Sequence, residues 1–406
     1  MTRSIERLAQ VWLAGFVVVA VALAYWQVVR APDLVAREDN PRRVQAERRV
    51  QRGRLLDWTG EVLAVSVPTA LPGVRDAVRR DYPHPEAAHV TGYYSLRYGV
   101  GGSEAVFDAL LRGNQSPLEQ LLHRPPVGAD VSLSLVLAGQ QAAAAALGGR
   151  RGAVVVLTAQ RGAVRVMVSQ PAYDPNRLDD EWDALVADPG APLLNRAAQG
   201  VYPVGDLARW IALTGLLSGG LTVPADVYGA PLETLMTPLS TLGYLATARQ
   251  LGFDVAPPFP LPTSAGRMPD FAGQGTPRDL AATPLHLARF VAAAAGDGSM
   301  PLLRLRDEAD SVPGERAFAP HVARALRAMM PAQGDLVGWS GVAQPLETGA
   351  EPIAWFVGLG GEVASPLAVV VVIEDSRVAA DAVSVAQQTL AALSQAGALS
   401  AAPSPQ

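Results

Sequence analysis

Gly152-Ala-Val-Val-Val-Leu-Thr158 and Gly162-Ala-Val-Arg-Val-Met-Val-Ser169 are two runs of β-branched and apolar residues, joined by a short polar turn that ends at Arg161-Gly162. Each run is too short for an ordinary helix, and its residues favour a pleated surface, so the pair is read as a buried β-hairpin. Upstream, Ala129-Asp-Val-Ser-Leu-Ser-Leu135 reads as a further strand and the alanine-rich Gly139 to Leu147 as a helix. Downstream, Ala354-Trp-Phe-Val-Gly358 and Leu367-Ala-Val-Val-Val-Val-Ile-Glu374 read as the last two core strands, followed by a helix from about Val378 to Ala396. Strand pair, helical middle, further strands and closing helix predict an α/β domain with an antiparallel sheet covered by helices.

Composition supports a chain with a sizeable core: 406 residues, 49% of them hydrophobic. The net charge of −5 and the lack of a long basic stripe argue against a nucleic-acid partner. There is no cysteine, which excludes disulfides, zinc-thiolate sites and thiol catalysis. There is also no lysine: all 33 basic residues are arginine.

The run Leu8 to Val29, uncharged and bounded by Arg7 and Arg30, is long enough as a helix to cross a hydrocarbon core of about 30 Å. Trp12, Tyr25 and Trp26 lie near its ends, where amphipathic rings favour the interface. A cleaved signal peptide ending near Ala22-Leu23-Ala24 is the competing reading, but the apolar run continues past that site. Arg30, Arg37, Arg42, Arg43, Arg48 and Arg49 outnumber Arg3 and Arg7, so a simple positive-inside count would place the C-terminal side in the cytoplasm.

Two blocks follow. Arg52-Gly-Arg-Leu-Leu-Asp-Trp-Thr-Gly60-Glu-Val-Leu-Ala64 taken alone is a strand, a turn at Asp57 to Gly60 and a second strand. Thr91-Gly-Tyr-Tyr-Ser95, with Tyr98-Gly99, Glu104, Asp108 and Gly113, is a glycine-rich loop before an amphipathic helix, Glu104 to Leu111. In this order they resemble the R-G-x-I-x-D-x-x-G-x-x-L-A and G-Y-Y-S segments of the class B penicillin-binding proteins. Pro171-Ala-Tyr-Asp-Pro-Asn176, Pro192 to Pro203, Arg249-Gln-Leu-Gly-Phe253, Ala272-Gly-Gln-Gly275 and Thr283-Pro-Leu-His-Leu-Ala288 continue the resemblance. It implies a penicillin-binding transpeptidase fold, related to the serine β-lactamases, preceded by a non-catalytic pedestal and one transmembrane helix. The expected division is 1–30 cytoplasmic tip and anchor, 31–128 pedestal (dimerisation-like) module, 129–396 transpeptidase-like domain and 397–406 disordered tail, with the bulk of the chain outside the cell.

The reactive positions depart from that family's pattern. Family members carry S-x-x-K, S-x-N and K-T-G motifs. Here the first segment is Tyr202-Pro-Val-Gly-Asp206-Leu-Ala-Arg209, with Asp206 at the nucleophile position and Arg209 at the base position. An arginine stays protonated at neutral pH and cannot act as a general base. An acyl-aspartate would be a reactive mixed anhydride, so Asp206 reads better as a helix-start residue that caps amides, worth about 0.5–2 kcal/mol, and pairs with Arg209 one turn on. The K-T-G strand corresponds to Gly338-Trp339-Ser340-Gly341-Val342-Ala343-Gln344. Trp339 stands at the lysine position, and it either fills the cleft or points away and packs. The four asparagines, Asn40, Asn114, Asn176 and Asn195, all precede the expected S-x-N, and Ser218 and Ser240 read as ordinary loop or helix residues.

Nothing else supplies chemistry. His84, His89, His123, His286 and His321 are scattered without metal-ligand spacing, and Asp179-Asp180-Glu181 reads as a charged turn. No cofactor and no metal are expected. The resemblance thus implies a membrane protein of peptidoglycan synthesis or cell division with a degenerate site at Asp206, Arg209, Trp339, Ser340 and Gly341. It would act as scaffold or regulator of a cell-wall glycosyltransferase or another wall-synthesis membrane protein. An active D,D-transpeptidase with an unrecognised nucleophile and a non-covalent sensor of peptidoglycan peptides are the alternatives.

Overall fold

The computed structural model describes residues 2–30, 45, 47–74, 76–113, 126–273, 275–306, 314–344 and 351–397. The expected disordered tail lies outside the described residues, apart from Gly397, as do most of the arginine-rich connector and Gln274. The N-terminal segment is a helix, α1 (Thr2–Ala24), that runs on as a π-helix over Tyr25–Val29. Its apolar stretch Arg7–Gln27 is long enough to cross a membrane and none of it is buried against the rest of the chain.

The first block forms the expected hairpin, β1 (Leu55–Leu56) and β2 (Val62–Pro68), extended by β3 (Val78–Asp81). A second hairpin, β4 (Tyr93–Ser95) with β5 (Gly99–Gly101), precedes two short helices, Gly102–Val106 and Asp108–Arg112, which break at Phe107 where one continuous helix was expected. The strand expected at 129–135 is only β6 (Val131–Ser132), which pairs in parallel with β1, so the N-terminal sheet takes its fourth strand from beyond residue 128.

Polar residues of these blocks hold this part together. Glu104 is fully buried and accepts from Arg52 Nε at 2.9 Å and Arg80 Nε at 2.6 Å, while Arg52 Nη1 reaches Asp108 at 2.6 Å. Gly53 lies so close to Ala129 that a Cβ would overlap its carbonyl oxygen at 1.9 Å, which accounts for glycine after Arg52. Asp57 Oδ1 accepts from the Thr59 and Glu61 amides, and its Oδ2 from the Leu137 amide at 2.9 Å, pinning the hairpin to the next helix.

That helix, Leu137–Leu147, leads to β7 (Gly152–Thr158) and β8 (Val164–Gln170). They are the predicted hairpin, and they lie at one side of a six-stranded antiparallel sheet. Its order is β11-β12-β13-β14-β7-β8, with β9 (Tyr202–Pro203) and β10 (Ala281–Ala282) forming a separate pair, then β11 (Ala332–Gln333), β12 (Leu336–Ala343), β13 (Ile353–Glu362) and β14 (Ser365–Ile373). Both faces are covered, which explains apolar runs without polar alternation. Val154, Val156, Val369 and Val371 face Leu390 and Leu393 of the closing helix Ala379–Gln395. Val155, Leu157, Val370 and Val372 share the other core with Leu285, Ala288 and Val291 of the central helix Pro284–Ala295.

Candidate functional site

The Tyr202-Pro-Val-Gly segment is fixed before any reactive position is reached. Tyr202–Pro203 pair with Ala281–Ala282, the Val204 amide donates to Leu280, and Trp355 Nε1 donates to the Pro203 carbonyl at 3.0 Å. The Tyr202 hydroxyl donates to Glu374 at 2.8 Å, and Arg196 Nε binds the same carboxylate oxygen at 2.8 Å. Burial, followed by the Glu374 charge, pushes the Tyr202 phenol far up, so it stays neutral. Gly205 then turns the chain with φ +55 and lies against β12, where a Cβ would sit 2.7 Å from the Ala343 backbone. A 3₁₀ turn, Gly205–Leu207, opens into the helix Ala208–Ser218.

This close approach brings the nucleophile position beside the strand. A Cβ on Gly341 would be 3.9 Å from Asp206 Cβ. Asp206 and Gly341 therefore meet as the motif comparison requires, but the other three candidates turn elsewhere. Asp206, with its side chain 59% exposed, makes no capping hydrogen bond and does not pair with Arg209. It pairs instead with Arg278 Nε at 3.1 Å, whose Nη1 reaches Glu233 at 3.2 Å. The expected cap and i,i+3 pair are thus corrected: the helix turns Arg209 inward, and its Nη1 donates to the carbonyls of Val227 at 2.7 Å and Ala230 at 2.6 Å. The guanidinium clips the loop between Ser218 and Leu232 to the start of the helix.

Trp339 is 3% exposed and stacks on Trp210 at 3.6 Å between ring centroids, with Phe290 beyond it at 6.3 Å. It packs into the core under the strand, with its indole Nε1 lacking an acceptor of normal hydrogen-bond geometry. Tyr228, tilted against Trp210 and exposed, covers this pair. Strand alternation sends Ser340 to the opposite face, where its hydroxyl meets Gln333 Nε2 at 3.4 Å. Ser240 lies at a kink after Pro238 with φ +62, and its Oγ accepts from the Gly243 amide at 3.2 Å, so it starts the second half of a broken helix.

Sequence reading missed Arg278, Glu233 and Trp210. Arg278 sits in a Thr276-Pro-Arg-Asp279 capping box whose pattern announces the turn and not the long-range pair. Trp210 follows Arg209 directly, and only the fold shows that it lies under Trp339. Among the described residues no three His, Cys, Asp or Glu side chains gather as a metal site.

Residues 52–124 match the penicillin binding protein A dimerisation domain, and residues 239–395 match the penicillin binding protein transpeptidase domain. Together these cover more than half of the chain, in the order the fold displays. The chain belongs to the penicillin-binding protein family. It carries the penicillin-binding transpeptidase fold behind an N-terminal dimerisation module. The segment 206–209 falls between the two matched stretches. The peptidoglycan D,D-transpeptidase PbpA of Mycolicibacterium smegmatis is 28% identical, over 92% of this chain and 94% of that protein. The peptidoglycan D,D-transpeptidase MrdA of Escherichia coli is 33% identical, over 37% of this chain and 31% of that protein. Penicillin-binding protein A of M. tuberculosis, solved as a penicillin G acyl-enzyme complex, superposes with a TM-score of 0.73 at 26% identity, over 85% of this chain and 100% of that one.

Proposed function

We propose that this protein is a membrane-anchored homologue of the peptidoglycan transpeptidases that does not catalyse transpeptidation and serves wall synthesis as a scaffold or regulator. One observation carries the reading: the two positions where family members place an amine are both committed to packing. Arg209 is spent on two backbone carbonyls and Trp339 on an aromatic stack. An acyl-transfer site needs a nucleophile with a base within reach, and Asp206 has beside it only Arg278, a permanent cation. Pairing to that cation lowers the carboxylate's reactivity further. With α1 as anchor the remaining chain lies outside the cytoplasm, next to polytopic glycosyltransferases of the wall machinery.

The relatives named D,D-transpeptidases favour a second reading, an active D,D-transpeptidase with an unrecognised nucleophile. The two separate in a turnover assay. Purified full-length protein, given a wall pentapeptide ending in D-alanyl-D-alanine, is expected to release no D-alanine above the uncatalysed rate; release above that rate would establish the active enzyme, and its loss in D206A would place the nucleophile at Asp206. Co-purification from membranes addresses the scaffold: loss of a bound glycosyltransferase on deleting residues 1–130 is expected, and retention would move the contact surface away from the N-terminal module.

A further inference from the structure

Away from the degenerate site, a groove of about 730 Å³ runs between the N-terminal sheet and the start of the helix Leu178–Ala187. Its size is that of a small-molecule site. Its lining carries charge of both signs: Arg48, Arg79, Arg80 and Arg97, with Asp179 and Asp180. Part of this charge is used internally. Arg79 pairs with Asp81 at 3.0 Å, Asp179 accepts from the Ser95 hydroxyl at 2.5 Å, and Arg80 holds Glu104. What is left over is specific. Arg80, with a side chain 3% exposed, has an Nη2 with no hydrogen-bond partner. Arg97 lies over the Tyr98 ring at 4.9 Å, and among the described residues none of Arg48, Arg97 and Asp180 has an ion pair. A groove whose lining includes an unmet buried donor and uncommitted guanidiniums is one whose charge a carboxylate can satisfy.

We propose that this groove binds a short peptide carrying free carboxylates and a free amino group. Arg48 and Arg97, forked and permanently charged, hold the carboxylates. Asp180, unpaired among the described residues, takes the ammonium. A simple polyanion is disfavoured because the two aspartates face it, and a polycation because four arginines do. The assignment is independent of whether Asp206 reacts, since the groove is built from residues outside that segment.

The test is calorimetric titration of the full-length protein in detergent with three probes: the tripeptide L-Ala-γ-D-Glu-meso-diaminopimelate, its form with both amines acetylated, and inorganic phosphate. The tripeptide is expected to bind saturably and more tightly than phosphate. R48A and R97A are each expected to weaken it by about tenfold or more, as for loss of a charged hydrogen bond. R97Q, which keeps the side-chain stem over Tyr98, gives the same loss if charge is the cause. D180N is expected to weaken the free tripeptide and leave the acetylated form unchanged. No saturable binding at millimolar tripeptide, equal affinity for phosphate, or affinities untouched in R48A and R97Q would each overturn the proposal.

Discussion

Arg209 and Trp339 are large side chains whose surroundings have closed on them. Arg209 donates two charge-assisted hydrogen bonds to loop carbonyls. R209A should therefore cost about 1.5–3 kcal/mol, read by urea denaturation, and should speed amide exchange across 221–231 more than elsewhere; unchanged exchange there would show that Arg209 does not hold the loop. W339K places an ammonium where two aromatic rings stack. Loss of a buried tryptophan costs about 3–5 kcal/mol, so restoring the family residue at this position alone is expected to destabilise the fold and not to restore activity. A variant as stable as the parent would mean that the stack yields easily. Asp206, exposed and paired only with Arg278, tolerates D206N with a change within about 0.5 kcal/mol, since exposed ion pairs contribute little.

At the scale of elements, the hairpin 152–169 and strands 353–373 were legible because both faces of the sheet are buried, which leaves continuous apolar runs bounded by turn residues. The closing helix was legible from its length and period. β12 was legible only through its motif: Gly338, Gly341 and the residues between them have no strand period, and the sheet supplies their register with β13. The strand at 129–135 was legible as a strand but not as a member of the N-terminal sheet, because parallel pairing with β1 is a long-range fact. The buried Arg52–Glu104–Arg80 cluster shows the same limit, since its members are spread over some fifty residues and only the fold joins them. Removing one side leaves charge uncompensated in the core, so R52A is expected to lower stability by about 3–5 kcal/mol. A loss under about 1 kcal/mol would class the cluster with surface pairs.

Over the whole molecule, two buried histidines link stability to pH. Burial holds His89 and His286 down to about 4. His89 Nε2 donates to the Pro192 carbonyl, and His286 Nε2 to that of Val255 while its Nδ1 accepts from Thr283. An unfolded histidine binds its proton near 6.5, so between about 6.5 and 4 the unfolded chain holds more protons. The resulting stability is full above about pH 6.5 and is lost as pH falls toward 4, by on the order of 3 kcal/mol per histidine. Denaturation free energies measured across that range should fall with acid, and a flat profile would contradict the burial of these rings as neutral groups.

The proposed function requires that this transpeptidase fold hold no acylating nucleophile. It is tested most directly by intact-protein mass spectrometry of the purified full-length chain after incubation with penicillin G, the ligand with which the M. tuberculosis relative was solved as an acyl-enzyme. The expected result is an unchanged mass for the parent and for D206S, because a serine beside Arg278 still has no base. A stable mass increase of one penicilloyl group on the parent, mapped to any residue of the segment 202–209, would contradict it.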